Sequence, residues 1–188
     1  MRLLIKTFLV SLVLSSGAAW VSAQGPRPLR APDVRFEPAD LESVSAMLKL
    51  ADVKKSDIVY DLGCGDGRIV IVAAREFGAK GVGIDIDPKR IAESTENARM
   101  MGVSNRVTFR NEDLFESDIK EATVVTLYLW PSVNMKLRPK LWKDLKPGTR
   151  VVSKLHDMED WVPDREIEMA GHKIYLWTIS AEKPRLKK

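Results

Sequence analysis

The 188-residue chain is predicted to be an α/β protein, with a doubly wound, mostly parallel sheet and a C-terminal antiparallel hairpin. Three observations predict this class. Short apolar runs alternate with helical patterns between residues 57 and 154, which is typical of parallel strands joined by helices. The first run, Ile58–Leu62, breaks at a glycine turn. After the fifth run, the connection to the next strand is too short for a parallel crossover.

The alternation predicts four helices and five strands before the hairpin. The first helix has its apolar residues at helical spacing and Asp40 as a candidate cap. The third helix opens with Pro88 and stops at Gly102, residues that favour a helix start and a helix end. The predicted helices cover 40–51, 67–77, 88–102 and 132–144, and the predicted strands cover 57–62, 81–85, 106–110, 122–130 and 149–154.

The last part of the chain predicts a hairpin. Only His156–Asp164 lies between the fifth strand and the strand Arg165–Met169, and a parallel crossover needs about a dozen residues or more. Ala170-Gly171 then turns the chain into Lys173–Ser180. We therefore expect an antiparallel hairpin preceded by a shortened or missing helix, which leaves this side of the site relatively open.

Residues 58–67, Ile-Val-Tyr-Asp-Leu-Gly-Cys-Gly-Asp-Gly, are the most informative stretch of the sequence. A strand, a glycine turn and a helix start together allow backbone to approach a bound ligand closely. The spacing is G-x-G-x-G. A dinucleotide fingerprint, G-x-G-x-x-G, would need glycine where Arg68 stands, which disfavours a nicotinamide-dependent oxidoreductase.

The string from Asp61 to Gly67 resembles motif I of the class I methyltransferases, which use S-adenosylmethionine (SAM). The resemblance implies a Rossmann-like fold and SAM as the cofactor. It also implies that the turn contributes five residues to the cofactor site: Asp61, Gly63, Cys64, Gly65 and Gly67.

Two later carboxylates agree with this resemblance. The strand 81–85 ends in Asp85, which can accept hydrogen bonds from both ribose hydroxyls, although NAD-binding folds share that feature. The strand that begins at Val107 is followed by Asp113. In the family, the carboxylate at this position accepts from the exocyclic amine of adenine, and the next backbone N–H reaches a ring nitrogen. The resemblance therefore adds Asp85, Ile86, Asp113 and Leu114 to the SAM site.

The candidate acceptor site is aromatic. The fourth predicted strand ends in Tyr128-Leu129-Trp130, where the donor methyl group is expected. Tyr128 and Trp130 alternate with leucines, so both would face one side of that strand. Aromatic faces suit a cationic sulfonium or amine, which makes the two residues candidates for catalysis. Core packing is the alternative for each of them.

A second resemblance concerns the acceptor. Tyr128–Val133 and Gly148–Ser153, with motif I, are similar to the mitochondrial lysine methyltransferases that modify the adenine nucleotide translocase and the c-ring protein of ATP synthase. Phe36–Asp40 resembles the lead-in of that family but lacks its hydroxyl residue. The resemblance implies nitrogen methylation, with protein lysine as one candidate; the acceptor, a protein or a small molecule, and the oligomeric state stay open.

Composition bounds the remaining classes. The formal net charge is +4, and no basic-aromatic strip is present, so a dedicated nucleic-acid binder is disfavoured. The Asn/Asp-Pro-Pro-aromatic signature of base and glutamine methylation is also absent. The single cysteine, Cys64, rules out an internal disulfide, and it is interpreted as a small side chain that fits the turn. Neither His156 nor His172 has a metal-ligand spacing, so no metal is predicted.

The N-terminus has the pattern of a secretory signal peptide. Arg2 and Lys6 precede an apolar run, and Val21-Ser-Ala23 offers small residues for cleavage before Gln24. We expect an exported, periplasmic or secreted protein; a retained membrane anchor is the alternative. The predicted organisation is a signal peptide at 1–23, a linker or lead-in at 24–38, a methyltransferase domain at 39–181 and a solvated basic tail at 182–188.

Three functions compete at this point. The first is a SAM-dependent methyltransferase. The second is an exported module that binds SAM or a nucleoside without catalysis, since SAM is expected to be scarce outside the cytosol. The third is a Rossmann oxidoreductase, which Arg68 and Asp113 disfavour.

Overall fold

The computed structural model describes residues 29–169, 171–182 and 184–187. These residues form one seven-stranded sheet and four α-helices. The strands are β1 (Ile58–Leu62), β2 (Lys80–Asp85), β3 (Val107–Asn111), β4 (Val124–Leu127), β5 (Arg150–Lys154), β6 (Arg165–Met169) and β7 (His172–Thr178). The helices are α1 (Leu41–Leu50), α2 (Arg68–Glu76), α3 (Pro88–Met100) and α4 (Pro131–Asp144).

The strand order is β3-β2-β1-β4-β5-β7-β6. The first five strands pair in parallel, and β7 pairs antiparallel with both β5 and β6. The chain therefore builds the sheet outward in two directions from β1, which confirms the predicted doubly wound sheet with a terminal hairpin. In such sheets a ligand crevice opens beyond the carboxyl ends of the strands where the direction reverses, here between β1 and β4.

Helices cover both faces of the sheet. The side chains of Val59 and Val124 pack with α1, α2 and Ala98 of α3 in one buried cluster. The neighbouring residues Tyr60 and Val125 pack with α4 in the other, because successive side chains on a strand point to opposite faces. The sheet is therefore apolar on both sides, as a central parallel sheet must be.

Tryptophans fill the space where a crossover helix between β5 and β6 was expected to be shortened or missing. No helix lies between β5 and β6 in the described chain. Trp161 packs against Trp142 of α4 and Trp177 of β7, with ring centroids 5.3 and 5.4 Å away. The indole N–H of Trp177 donates to the Trp161 carbonyl at 2.9 Å. This aromatic cluster closes the core on the α4 face in place of a helix.

The fourth strand is shorter than predicted. It ends at Leu127, where its register meets the last residue of β1, Leu62. Gly63 then turns β1 away, so the chain beyond Leu127 has no strand partner on that side. Pro131 starts α4, and the residue before it, Trp130, takes an extended conformation, as proline requires. Tyr128 and Trp130 therefore lie on a loop and not on one face of a strand.

Both ends of the chain differ from the expected linker and solvated tail. The predicted signal peptide lies outside the described residues, as does the start of the lead-in; residues 29–38 lie along the crevice. At the other end, the amide of Val162 donates to the Arg185 carbonyl and Arg185 forms an ion pair with Asp164, so 184–187 are docked on the domain. In the ranges that the structure describes, no helix has the length and apolar character needed to cross a membrane.

Candidate active site

A cavity of about 250 Å³ opens at the crevice between β1 and β4. This first cavity lies beyond the carboxyl ends of β1 to β4, as the fold predicts. The structure brings six of the predicted site residues into its wall: Gly63, Asp85, Ile86, Asp113, Leu114 and Tyr128. Asp61 and Cys64 line a small adjoining recess, to which Gly63 and Tyr128 also contribute. Gly65, Gly67 and Trp130 lie outside the first cavity.

The glycine turn joins β1 to α2 and is tied to β2. Gly63 and Gly65 have φ angles of +82° and +53°, a region that side chains other than glycine rarely adopt. The amide of Gly63 donates to the Ile84 carbonyl at 2.8 Å, and the amide of Gly65 donates to Asp85 Oδ2 at 2.8 Å. A Cβ on Gly63 would lie 2.7 Å from Leu129 Cδ2. The turn thus needs glycine both for its backbone and for its close neighbours.

Asp85 organises the middle of the crevice. Its Oδ2 accepts from the Gly65 amide, and its Oδ1 accepts from the Asp87 amide at 2.9 Å. The carboxylate is half-buried and lines the first cavity, so it still faces the space where a ligand would lie. One carboxylate therefore fixes the glycine turn and offers charge to a hydroxyl-rich ligand.

Asp61 is a buried carboxyl in the floor of the crevice. It is 2% exposed, and Thr126 Oγ1 donates to its Oδ1 at 2.7 Å. Burial raises the pKa of the Asp61 carboxyl to about 7, with a further contribution from the charges of Asp85 and Asp66, and the Thr126 hydrogen bond opposes the shift. Around neutral pH this group is poised between its charged and uncharged forms.

The shift at Asp61 predicts a pH-dependent stability. Between pH 3.8, the ordinary pKa, and about 7, the folded state holds a proton on Asp61 that the unfolded state has lost. The free energy of unfolding of the SAM-free protein should therefore fall as pH rises through this window, by up to about 4 kcal/mol from this group. Melting curves between pH 4 and 8 for the parent and Asp61→Asn measure it. The variant should lose this part of the dependence; equal slopes would contradict the assignment.

Cys64 has the environment of a structural side chain. It is 4% exposed, and a Cβ on Gly83 of β2 would lie 2.8 Å from its sulfur. Burial raises the pKa of the Cys64 thiol well above its usual range. A buried thiol of high pKa is a poor nucleophile, which agrees with a small side chain that fits the turn.

The lead-in forms a wall of the first cavity, which the sequence prediction missed. Residues between Arg30 and Glu37 line it opposite the strand ends. The ring of Phe36 lies over the glycine turn, since a Cβ on Gly65 would be only 2.1 Å from Phe36 Cε2. The guanidinium of Arg90 stands 4.9 Å from the centroid of the same ring. The resemblance of Phe36–Asp40 to a family lead-in was the one signal for this role.

Asp113 is paired with the lead-in. Arg30 donates from Nε to Asp113 Oδ2 at 2.6 Å and from Nη2 to Asp113 Oδ1 at 3.1 Å. Burial opposes ionisation of Asp113, but the hydrogen bonds from Arg30 and the Phe115 amide lower its pKa overall. The carboxylate is thus held charged at the rim of the first cavity.

Tyr128 and Trp130 are separated by the loop that follows β4. Tyr128 is half-buried in the wall of the first cavity, and the Lys154 ammonium lies 4.7 Å from its ring centroid. Lys154 is itself buried and paired with Asp40 at 2.6 Å, which fixes the ring between β5 and α1. Trp130 is 55% exposed and lines a second cavity of about 330 Å³. Tyr128 also lines this second cavity and so separates the two spaces.

Comparison with known proteins agrees with this geometry. The ANTKMT methyltransferase domain matches residues 61–165. A protein-lysine N-methyltransferase of Saccharolobus islandicus is 45% identical over 157 residues, which cover 81% of this chain and 98% of that protein. A lysine N-methyltransferase of Xenopus laevis, described as acting on the c-ring protein of ATP synthase, is 32% identical over 159 residues, which cover 82% of this chain and 70% of that protein.

A solved structure gives the same result. An RNA methyltransferase from Salinibacter ruber, crystallised with S-adenosyl-L-homocysteine, is 55% identical, with a TM-score of 0.79 over 81% of this chain and 100% of that one. Together, the sheet, the glycine turn and these likenesses define a SAM-dependent methyltransferase of class I. The chain belongs to the family of the ANTKMT methyltransferase domain, which confirms the resemblance stated from its motifs.

Proposed function

We propose that the protein transfers a methyl group from SAM to the side-chain nitrogen of a lysine in a protein acceptor. The observation that carries this proposal is the position of Tyr128, whose ring lines both the first and the second cavity. A ring between two cavities lets a donor in one meet an amine that enters through the other. The likeness to relatives described as lysine methyltransferases supports the same acceptor class.

The residues of the first cavity suit SAM. We assign the ribose hydroxyls to Asp85 and the adenine amine to Asp113, with the amide of Leu114 at a ring nitrogen. Side chains at Gly63 or Gly65 would enter the space beside the turn, so glycine keeps a cradle for the amino-acid end of the cofactor. For adenine to reach Asp113, the hydrogen bonds from Arg30 must be exchanged for those of the ligand.

The chemistry asks the protein for alignment and exclusion of water. SAM supplies a methyl group on a positively charged sulfur, and the electrons of the broken C–S bond return to that sulfur. The lysine amine must be neutral, because its lone pair forms the new C–N bond, and the methylated nitrogen then loses a proton to solvent. The Tyr128 ring can hold the amine against the donor, where in-line geometry lowers the barrier.

Tyr128 provides the direct test. Tyr128→Ala should lower single-turnover methylation about ten- to thirtyfold, the loss of roughly 1–2 kcal/mol of cation–π stabilisation in a desolvated site. SAM affinity, measured by calorimetry, should change much less, since the ribose and adenine contacts lie elsewhere. Tyr128→Phe keeps the ring and tests the hydroxyl alone. A Tyr128→Ala protein with a lower melting temperature but full turnover per folded molecule would make this residue part of the core only.

RNA is the second candidate acceptor, because the Salinibacter ruber protein is described as an RNA methyltransferase. The mild net charge and the missing Asn/Asp-Pro-Pro-aromatic signature favour protein. Incubating a lysate of the producing cell with the enzyme and labelled SAM separates the two. Label that protease releases supports lysine, and label that ribonuclease releases supports RNA. SAM binding without S-adenosylhomocysteine formation would instead favour a module that binds without catalysis.

We further propose that the protein is exported. The support is the pattern of Met1–Ala23, in which two basic residues, an apolar run and a small-residue site follow one another. The mature chain should then begin at Gln24. Terminal sequencing of protein isolated from the producing cell measures this, and an intact Met1 in the membrane fraction would favour a retained anchor instead.

A further inference from the structure

Trp130 stands where a different residue would suit the backbone better. It is the N-cap of α4, with φ −64° and ψ 153°, and its side chain makes no capping hydrogen bond. Serine, threonine, aspartate and asparagine are the residues that stabilise this position. The indole is also 55% exposed to solvent. A large apolar side chain that neither caps the helix nor is buried has no structural role in the described fold.

Leu155 breaks a second local preference close by. Its φ of +72° is in the left-handed region, where glycine and asparagine are favoured and leucine is rare. The conformation is held because its amide donates to the Lys173 carbonyl at 2.7 Å, and Ser153 Oγ donates to the His156 carbonyl at 2.7 Å. The side chain is nevertheless 36% exposed. Strained residues of this kind concentrate at functional sites.

The two residues line the same space. Trp130 and Leu155 both line the second cavity, whose wall continues through Tyr128 into the first cavity. The two departures from local preference lie on different elements, the start of α4 and the loop after β5, and they meet only through the fold. Their meeting at the mouth of the acceptor side points to a shared ligand.

The charges of the second cavity limit what that ligand can be. Glu37 and Arg35 both line it and offset one another. His156 also lines it, and burial lowers the pKa of this imidazole, so it is neutral at physiological pH. A balanced, partly apolar wall gives no attraction for a strongly basic or acidic tail, whereas burying apolar area against Trp130 and Leu155 is favourable.

We propose that Trp130 and Leu155 form a contact surface for an apolar side chain adjacent to the target lysine, so that the preferred acceptor is a lysine in an apolar segment of a protein. This proposal rests on lysine methylation and specifies its substrate class. The lysine passes Tyr128 toward the donor, and its apolar neighbour covers the Trp130–Leu155 surface. A lysine within a polar, highly charged tail leaves that surface wet and binds less well.

Two synthetic peptides test the proposal with the full-length enzyme and SAM. Each carries one lysine in the same soluble frame, flanked by leucines in one peptide and by serines in the other. The ratio of their kcat/KM values should favour the leucine peptide by about tenfold or more, the usual effect of burying one aliphatic side chain. Equal rates, or a preference for the serine peptide, would overturn the proposal while leaving lysine methylation in place. Methylation of neither peptide would overturn both.

The local misfits supply variants that should fold well. Leu155→Asn suits the left-handed backbone, and Trp130→Ser supplies a helix cap, so neither should lower the melting temperature. Each should move the kcat/KM ratio toward one. Met100→Ser, which removes a side chain that is 61% exposed on α3, is the matched control and should leave the ratio as in the parent. A ratio unchanged in both rim variants would overturn the assignment of this surface.

Discussion

Gly65→Val is expected to abolish SAM binding, by at least about a hundredfold in affinity, while the sheet stays folded. Gly65 has a φ of +53°, which a β-branched residue adopts only with strain. Its Cβ would lie 2.1 Å from Phe36 Cε2, so the substitution must displace the ring that covers the turn. It also threatens the amide that donates to Asp85. Three features of the cofactor cradle are therefore disturbed by one side chain.

The control is a glycine with the same backbone demand and no neighbours. Gly102 has a φ of +70° at the end of α3, and a Cβ there would meet nothing within 4 Å. Gly102→Val should show a comparable loss of thermal stability and an unchanged Kd for SAM in calorimetry. Gly65→Val that binds SAM like the parent would place the cofactor elsewhere in the molecule.

Asp85→Ala is expected to weaken SAM binding by tenfold or more. A carboxylate that holds two ribose hydroxyls makes charge-assisted hydrogen bonds of about 1.5–3 kcal/mol each. The structure adds a second cause, because Asp85 also accepts from the amides of Gly65 and Asp87 and so positions the turn. Asp113→Ala should cost less, since adenine keeps the backbone contact at Leu114.

Asp85→Asn separates the two causes in the same calorimetric measurement. The amide oxygen can still accept from one backbone N–H, but the charge that favours the ribose is gone. Asp118→Ala is the control, since Asp118 accepts from the Lys120 amide in an exposed turn far along the chain. Its SAM affinity should match the parent. An unchanged affinity in Asp85→Ala would remove this residue from the ribose site.

The elements that were predicted well are those with a strong local pattern. Apolar spacing and the Asp40 cap defined α1, and the short connection 156–164 defined the hairpin, because a parallel crossover physically needs more chain. The end of β4 was missed because it depends on another strand. Leu127 is the last paired residue only because β1 ends at Leu62. No periodicity within 122–130 carries that information.

The site divides in the same way. The turn and the two strand-end acids come from short motifs, and the fold brings Asp85 and Asp113 to one cavity. The wall formed by the lead-in has no such signal: Arg30 and Asp113 are 83 residues apart, and proline-rich, aperiodic chain resembles a linker. The placement of Trp130 on a separate cavity likewise follows from the loop between β4 and α4.

The terminal hairpin also bears on the order in which the molecule can assemble. β7 enters the sheet between β5 and β6, although it follows both in the chain, so among the described strands β6 has no partner until β7 arrives. Until then β5, with Val151 and Val152 on its two faces, presents an open backbone edge. Such an edge is prone to pair with other chains. Docking of β7 is therefore the step that protects the nascent sheet from aggregation, and the charged residues of β6 guard the final edge.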